Sequence, residues 1–115
     1  MTPTLSVRFF ATSQGAEPVR EWLREQDVAT KKAIGEDIKT VQFGWPIGMP
    51  LVRKLDKDVW EVRSHLPNRI ARLVFSCSQH EMIVLHGFIK KSQKTQTQDL
   101  KLAKTRLRLL YSRRE

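Results

Sequence analysis

Cysteine is almost missing from this 115-residue chain. Cys77 stands alone, so an internal disulfide framework is excluded, and one unpaired thiol fits a reducing cytosol. It sits in an apolar alternation, which reads as a buried, inert thiol. Long apolar runs are lacking too, which argues against a membrane-spanning helix. The N-terminus does not have the basic-then-apolar order of a signal peptide, so the expected location is the cytoplasm. No repeat, linker or low-complexity segment is visible, and one domain over residues 1–115 is expected. Acidic residues are scarce: 12 Asp and Glu against 21 Lys and Arg, a formal net charge of +9. Residues 1–50 balance at six of each sign, so residues 51–115, with fifteen cations and six acids, carry the whole excess. A half-molecule this basic is an electrostatic footprint for nucleic acid or an acidic protein.

Leu5–Phe10 alternates like a strand, with Leu5, Val7 and Phe9 on one face. Pro18 suits the first turn of a helix in which Val19, Trp22, Leu23 and Gln26 recur at helical spacing. Asp27 is a good N-cap for a second helix to about Phe43, with Ile34, Ile38 and Val41 on its apolar stripe. Gly44 and Pro46 stop it, and Gly35 within it suggests close packing. Strand-like segments follow at 51–55, 59–63, 69–77 and 82–89, joined by short turns that imply antiparallel pairing. On the second of these segments Trp60 and Val62 oppose Glu61 and Arg63; on the third, Ala71, Leu73 and Phe75 oppose Arg72. Arg63 and Arg72 therefore leave the sheet on the face away from the aromatic core. Thr95 or Thr97 caps a last helix with Leu100, Ala103, Leu107, Leu110 and Tyr111 on one side. The expected fold class is α+β: a small antiparallel sheet with an N-terminal strand and helical hairpin packed on it, plus a C-terminal helix.

The stretch from Leu85 to Thr95 changes from an apolar strand to a cationic, hydroxyl-rich loop with Lys90, Lys91 and Lys94 beside Gln93 and Thr95. Lysines held at the edge of a core suit phosphate binding, and this stretch is read as closing an RNA-phosphate site.

Val59–Arg63, Ile70–Arg72, the Leu85–Thr95 run and the Ala103-x-x-Arg106 arrangement, in this order, resemble the RelE/ParE toxin superfamily, in its phage-derived HigB-like branch. The resemblance extends from the first strand to about Leu110. It implies the toxin of a bacterial type II toxin–antitoxin pair that cuts mRNA on the translating ribosome. Its partners would be the ribosome, mRNA and a cognate antitoxin with a helix-turn-helix domain, with no membrane and no cofactor. By the same resemblance Arg63, Arg72, Lys90, Lys91 and Lys94 surround the scissile phosphate. The C-terminal tyrosine that some relatives use has no clear equivalent, since Tyr111 falls on the apolar side of the last helix. The superfamily also contains gyrase poisons, so a non-nuclease toxin or a basic RNA-binding module without catalysis are the alternatives.

The chemistry is compatible with these residues. RNA carries its own nucleophile, the 2′-hydroxyl. The protein has to accept its proton, offset charge at phosphorus and protonate the leaving 5′-oxygen, which leaves a 2′,3′-cyclic phosphate. Arginine suits the charge and crowded lysines suit the proton transfers, with no metal required. Lys54, Lys57 and His65 are secondary RNA-contact candidates. His86 reads as a hydrogen-bonded residue at the core edge, and Asp56, Asp58 and Glu61 as ordinary hairpin chemistry with no metal site.

Overall fold

The computed structural model describes residues 2–90 and 96–113, and of Lys90 only the backbone. The α+β expectation holds. Strand β1 (Ser6–Phe9) leads to helices α1 (Pro18–Arg24) and α2 (Val28–Gly44). Strands β2 (Val52–Asp56), β3 (Val59–Leu66), β4 (Arg69–Ser78) and β5 (Glu81–Lys90) follow, then helix α3 (Thr97–Arg113). The sheet order is β1-β5-β4-β3-β2; β1 runs parallel to β5 and every other pair is antiparallel. Among the described residues no helix is long and apolar enough to cross a membrane.

Local chemistry accounts for the helices. Pro18 opens α1, with Glu21 in its first turn and Arg24 in its last, each complementing the helix dipole. The helix stops short of Gln26, whose side-chain amide donates to the Trp22 carbonyl. Asp27 caps α2 by accepting the Thr30 N–H at 2.8 Å, and this hydrogen bond holds its carboxyl below the usual range. The Trp45 N–H closes the other end on the Val41 carbonyl.

Each face of the sheet buries its own apolar layer. On one face α1 and α2 bring Val19, Ile34, Ile38 and Val41 against Val62, Leu73, Phe75, Met82 and Val84. Trp60 stacks on Phe75 there, and Trp45 meets both edge-on. On the other face α3 lays Ala103, Leu107 and Leu110 against Val59, Val74, Ile83 and Leu85. Tyr111 is a correction: it is 41% exposed, because it lies about a quarter-turn round the helix from the centre of that buried stripe. Gly35 is a second correction. A Cβ there would meet nothing within 4 Å, so no close packing inside the chain requires the glycine.

Gly87 is different. A Cβ at this point of β5 would lie 2.8 Å from the Trp22 ring and 3.0 Å from Leu73 Cδ2. Only a bare backbone lets α1 sit this close to the sheet.

Candidate functional site

Directly opposed residues on neighbouring strands share a face of the sheet. The register builds three adjacent rows on the face that α3 covers. Arg53, Glu61, Val74 and His86 make the first; Arg63, Arg72 and Phe88 the second; His65, Ile70 and Lys90 the third. Successive rows lie roughly 7 Å apart along the strands.

Two β-bulges decide which residues join these rows. Simple pairing outward from the β2–β3 turn would set Arg53 opposite Val62, on the aromatic face. The irregularity between Lys54 and Asp56 sets it opposite Glu61 instead. In β5, Leu85 is the extra residue: Phe75 pairs with Val84, but Val74 pairs with His86. Before the bulge Ile83 and Leu85 face α3; after it His86, Phe88 and the register position of Lys90 do. Arg106 of α3 donates from Nη1 to the Leu85 carbonyl at 2.7 Å, so a guanidinium holds the backbone where the phase changes. Burial pulls the Arg106 pKa below its ordinary value, yet arginine starts so high that it stays protonated.

Glu61 is the electrostatic centre. It is fully buried and accepts from Arg72 Nη1 at 2.9 Å, while Arg53 Nε and Arg63 Nε lie 3.8 and 3.9 Å from the same oxygen. Three guanidinium groups thus surround one carboxylate. Burial pulls the Arg72 pKa down, Glu61 pushes it back up, and Arg63 adds to the lowering. Arg72 and Glu61 are both 0% exposed and Arg63 is 7% exposed, whereas the Arg53 side chain is 35% exposed. Of the three arginines, Arg53 is the most exposed and Arg72 the most deeply buried.

Beside the cluster, His86 Nε2 lies 2.8 Å from Asp99 Oδ1, and Phe88 stacks on the imidazole. The hydrogen-bonded histidine at the core edge is found as expected. Asp99 belongs to the first turn of α3, so the pair ties that helix to β5.

Of the candidate residues, the structure brings Arg63, Arg72 and His65 to one face, and the backbone of Lys90 to the same face. Lys91, Gln93, Lys94 and Thr95 lie outside the described residues, as does the Thr95 alternative for the α3 cap. Lys54 is exposed on the opposite face, its Nζ 5.6 Å from the Trp60 ring centre. Lys57 lies in the β2–β3 turn, at the far end of β3 from His65. Arg53 escaped sequence reasoning because its place depends on the β2 bulge, and the central place of Glu61 because it depends on which strands pair around it. Among the described residues no group of His, Cys, Asp and Glu could hold a metal ion. Cys77 is half-buried rather than buried, a partial correction, and that burial pushes its thiol up to about 11.

A five-stranded sheet, with a buried arginine–glutamate cluster on the face that carries the C-terminal helix, defines a small α+β protein. A family model, described as "Phage derived protein Gp49-like (DUF891)", matches residues 21–108. The chain belongs to this phage-derived Gp49-like family. The family is toxin-like and associated with toxin–antitoxin systems, which is consistent with a toxin of that type and implies an antitoxin partner. No match is found among curated proteins.

Proposed function

We propose that the chain is the toxin of a type II toxin–antitoxin pair and cuts mRNA on the translating ribosome. The carrying observation is the common face shared by Arg53, Arg63, Arg72 and the register position of Lys90. Glu61 neutralises only part of the arginine charge, so this face attracts a phosphodiester. Arg53 and Arg63 grip its oxygens, and Arg72, locked on Glu61, holds them in place. Lys90, Lys91 and Lys94 supply the proton transfers: one lysine, kept neutral by its cationic neighbours, takes the 2′-hydroxyl proton, and another returns one to the 5′-oxygen. The attacking oxygen becomes part of a 2′,3′-cyclic phosphate, and no metal takes part. Gln93, Thr95 and His65 contact the RNA near the scissile bond, with Lys54 and Lys57 as outlying contacts. The exposed outer surface of α3, with Lys101 and Arg108, suits ribosomal RNA. The single domain spans residues 1–115, acts in the cytoplasm and is neutralised by an antitoxin carrying a helix-turn-helix domain.

The test is controlled expression with mapping of RNA 5′ ends and of 2′,3′-cyclic phosphate termini. Cuts inside translated frames are expected, weakened at least about a hundredfold by Lys94→Ala, the size of a lost acid or base. Arg53→Ala and Arg63→Ala are expected to act in the same direction. In a purified translation system, cleavage abolished by EDTA in a way zinc or manganese restores, but magnesium at ribosome-sustaining levels does not, would overturn the metal-free assignment. Growth arrest that survives all three substitutions and is suppressed by gyrase variants would overturn the nuclease.

A further inference from the structure

Gly35 is costly where it stands. Glycine in a helix interior loses more backbone freedom than alanine, and Gly35 lies close to the middle of α2, away from the loop at either end. Its φ is not positive, and a Cβ would touch nothing in this chain within 4 Å. The bare backbone therefore solves no problem internal to the fold.

It does border a groove of about 270 Å³ between β1, α1 and α2. Phe9, Leu23, Ile34 and Ile38 give the groove an apolar lining beside Gly35. Three exposed cations, Arg20, Arg24 and Lys31, complete the lining, and no carboxylate is among the residues that line it. Glu21, Glu36 and Asp37 stand on the same helices, and Glu25 directly after α1, but none of them lines the groove. Arg20 is held in place, with its Nε 3.0 Å from Glu17 and its guanidinium 4.8 Å from the Phe9 ring centre. This volume takes a few apolar side chains rather than a large small-molecule ligand. An apolar trough with cationic edges and a glycine at which another backbone can come close fits an amphipathic helix with acidic flanks.

We propose that this groove receives an acidic amphipathic helix of the antitoxin, seated over Gly35 with its carboxylates on Arg20, Arg24 and Lys31. The identity of the occupant rests on the toxin reading; the chemistry of the groove does not. The groove lies on the side of the sheet away from Arg63 and Arg72. A helix bound here leaves the arginine face uncovered and acts from the opposite side of the molecule.

Two experiments test it. In the first, the intact protein is titrated with a synthetic helix bearing a leucine face and glutamate flanks, and with a twin bearing lysine flanks. Amide shifts confined to β1, α1 and α2 are expected with the glutamate helix, and binding that weakens with salt. Gly35→Leu and Lys31→Glu are each expected to weaken it by roughly tenfold or more, the scale of a lost central contact. Gly35→Ala is expected to raise the melting temperature while weakening binding, which separates docking from folding. No binding, equal binding to both helices, or binding indifferent to Gly35→Leu would overturn the groove's assignment. In the second, the chain is co-expressed with the protein encoded by the adjoining reading frame. That protein is expected to relieve growth arrest by the unmodified chain but not by the Gly35→Leu variant. Equal relief of both would overturn the antitoxin as occupant. Absence of arrest by the unmodified chain would overturn the toxin reading, and the occupant with it, while the peptide titration still judges the groove.

Discussion

Arg106 of α3 donates a 2.7 Å hydrogen bond to the main-chain carbonyl of Leu85, the bulged residue of β5. One helix residue thus fixes the point at which the last strand exchanges its faces. A helix contact of this kind gives the spacing of Ala103 and Arg106 a physical role: Ala103 lets α3 come close, and Arg106 reaches the bulge. Removing the guanidinium leaves a carbonyl at a helix–sheet interface without its charged donor.

Arg106→Leu is therefore expected to destabilise the fold by about 1–3 kcal/mol, the cost of a partly buried acceptor left unmade. Urea denaturation measures this, and amide exchange should quicken from Leu85 to Phe88. Unchanged stability with unchanged exchange would mean that the bulge holds itself.

Breaking the ion pair at the centre of the sheet should cost more. Glu61→Ala removes the carboxylate that pairs with the fully buried Arg72 guanidinium, and a loss of about 3–5 kcal/mol is expected. Glu61→Gln keeps an acceptor in place and should lose less. Equal losses for the two variants, read from denaturation midpoints at constant slope, would show that the charge of Glu61 is irrelevant to stability.

The approach of α1 to β5 depends on the missing side chain of Gly87. Gly87→Ala puts a methyl 2.8 Å from the Trp22 ring, and overpacking of this kind is expected to cost about 1–3 kcal/mol. Trimming the obstacle should help: the Gly87→Ala, Trp22→Leu pair is expected to lose less than the two single losses added together. Strict additivity in thermal melts would refute the contact.

The β4–β5 hairpin turns through Gln79 and His80, both with positive φ, at 52° and 65°. Side chains other than Gly, Asn and Asp are disfavoured there, and a two-residue turn of this handedness favours Asn-Gly. Gln79→Asn with His80→Gly is expected to stabilise the protein by about 1 kcal/mol. A lower melting temperature for the double variant would show that the native side chains do something the turn geometry does not require.

Cys77 carries a thiol pushed up to about 11 by burial, above an ordinary value of 9.0. Alkylation by iodoacetamide at pH 8 should be slow in the native protein and fast in denaturant. The linked stability has a definite sign. The folded chain holds its proton more tightly than the unfolded one, so the contribution is complete below about pH 9 and is lost as pH rises towards about 11. Replacing Cys77 by alanine should flatten that alkaline limb of the stability profile.

Much of this architecture is legible in the residues. Asp27 marks the start of α2, because a carboxylate two or three residues ahead of free N–H groups is a cap wherever it occurs. The alternation of β3 and β4 puts Arg63 and Arg72 opposite the aromatic layer, because side chains in a regular strand alternate strictly. The class of fold and the basic second half follow from the same local rules.

The membership of the cationic face was decided elsewhere. Period-two reading of β5 sends Lys90 to the side of the helical hairpin, and regular pairing sends Arg53 to the aromatic side. One extra residue in each strand reverses both, and whether a strand bulges depends on what its neighbours and α3 offer to the displaced backbone. Likewise Glu61 looked like one acid in a hairpin until pairing set three arginines around it. Local sequence determined which side chains exist and how each element alternates; tertiary packing chose the phase between elements, because a bulge is settled by long-range contacts that no short stretch of chain contains.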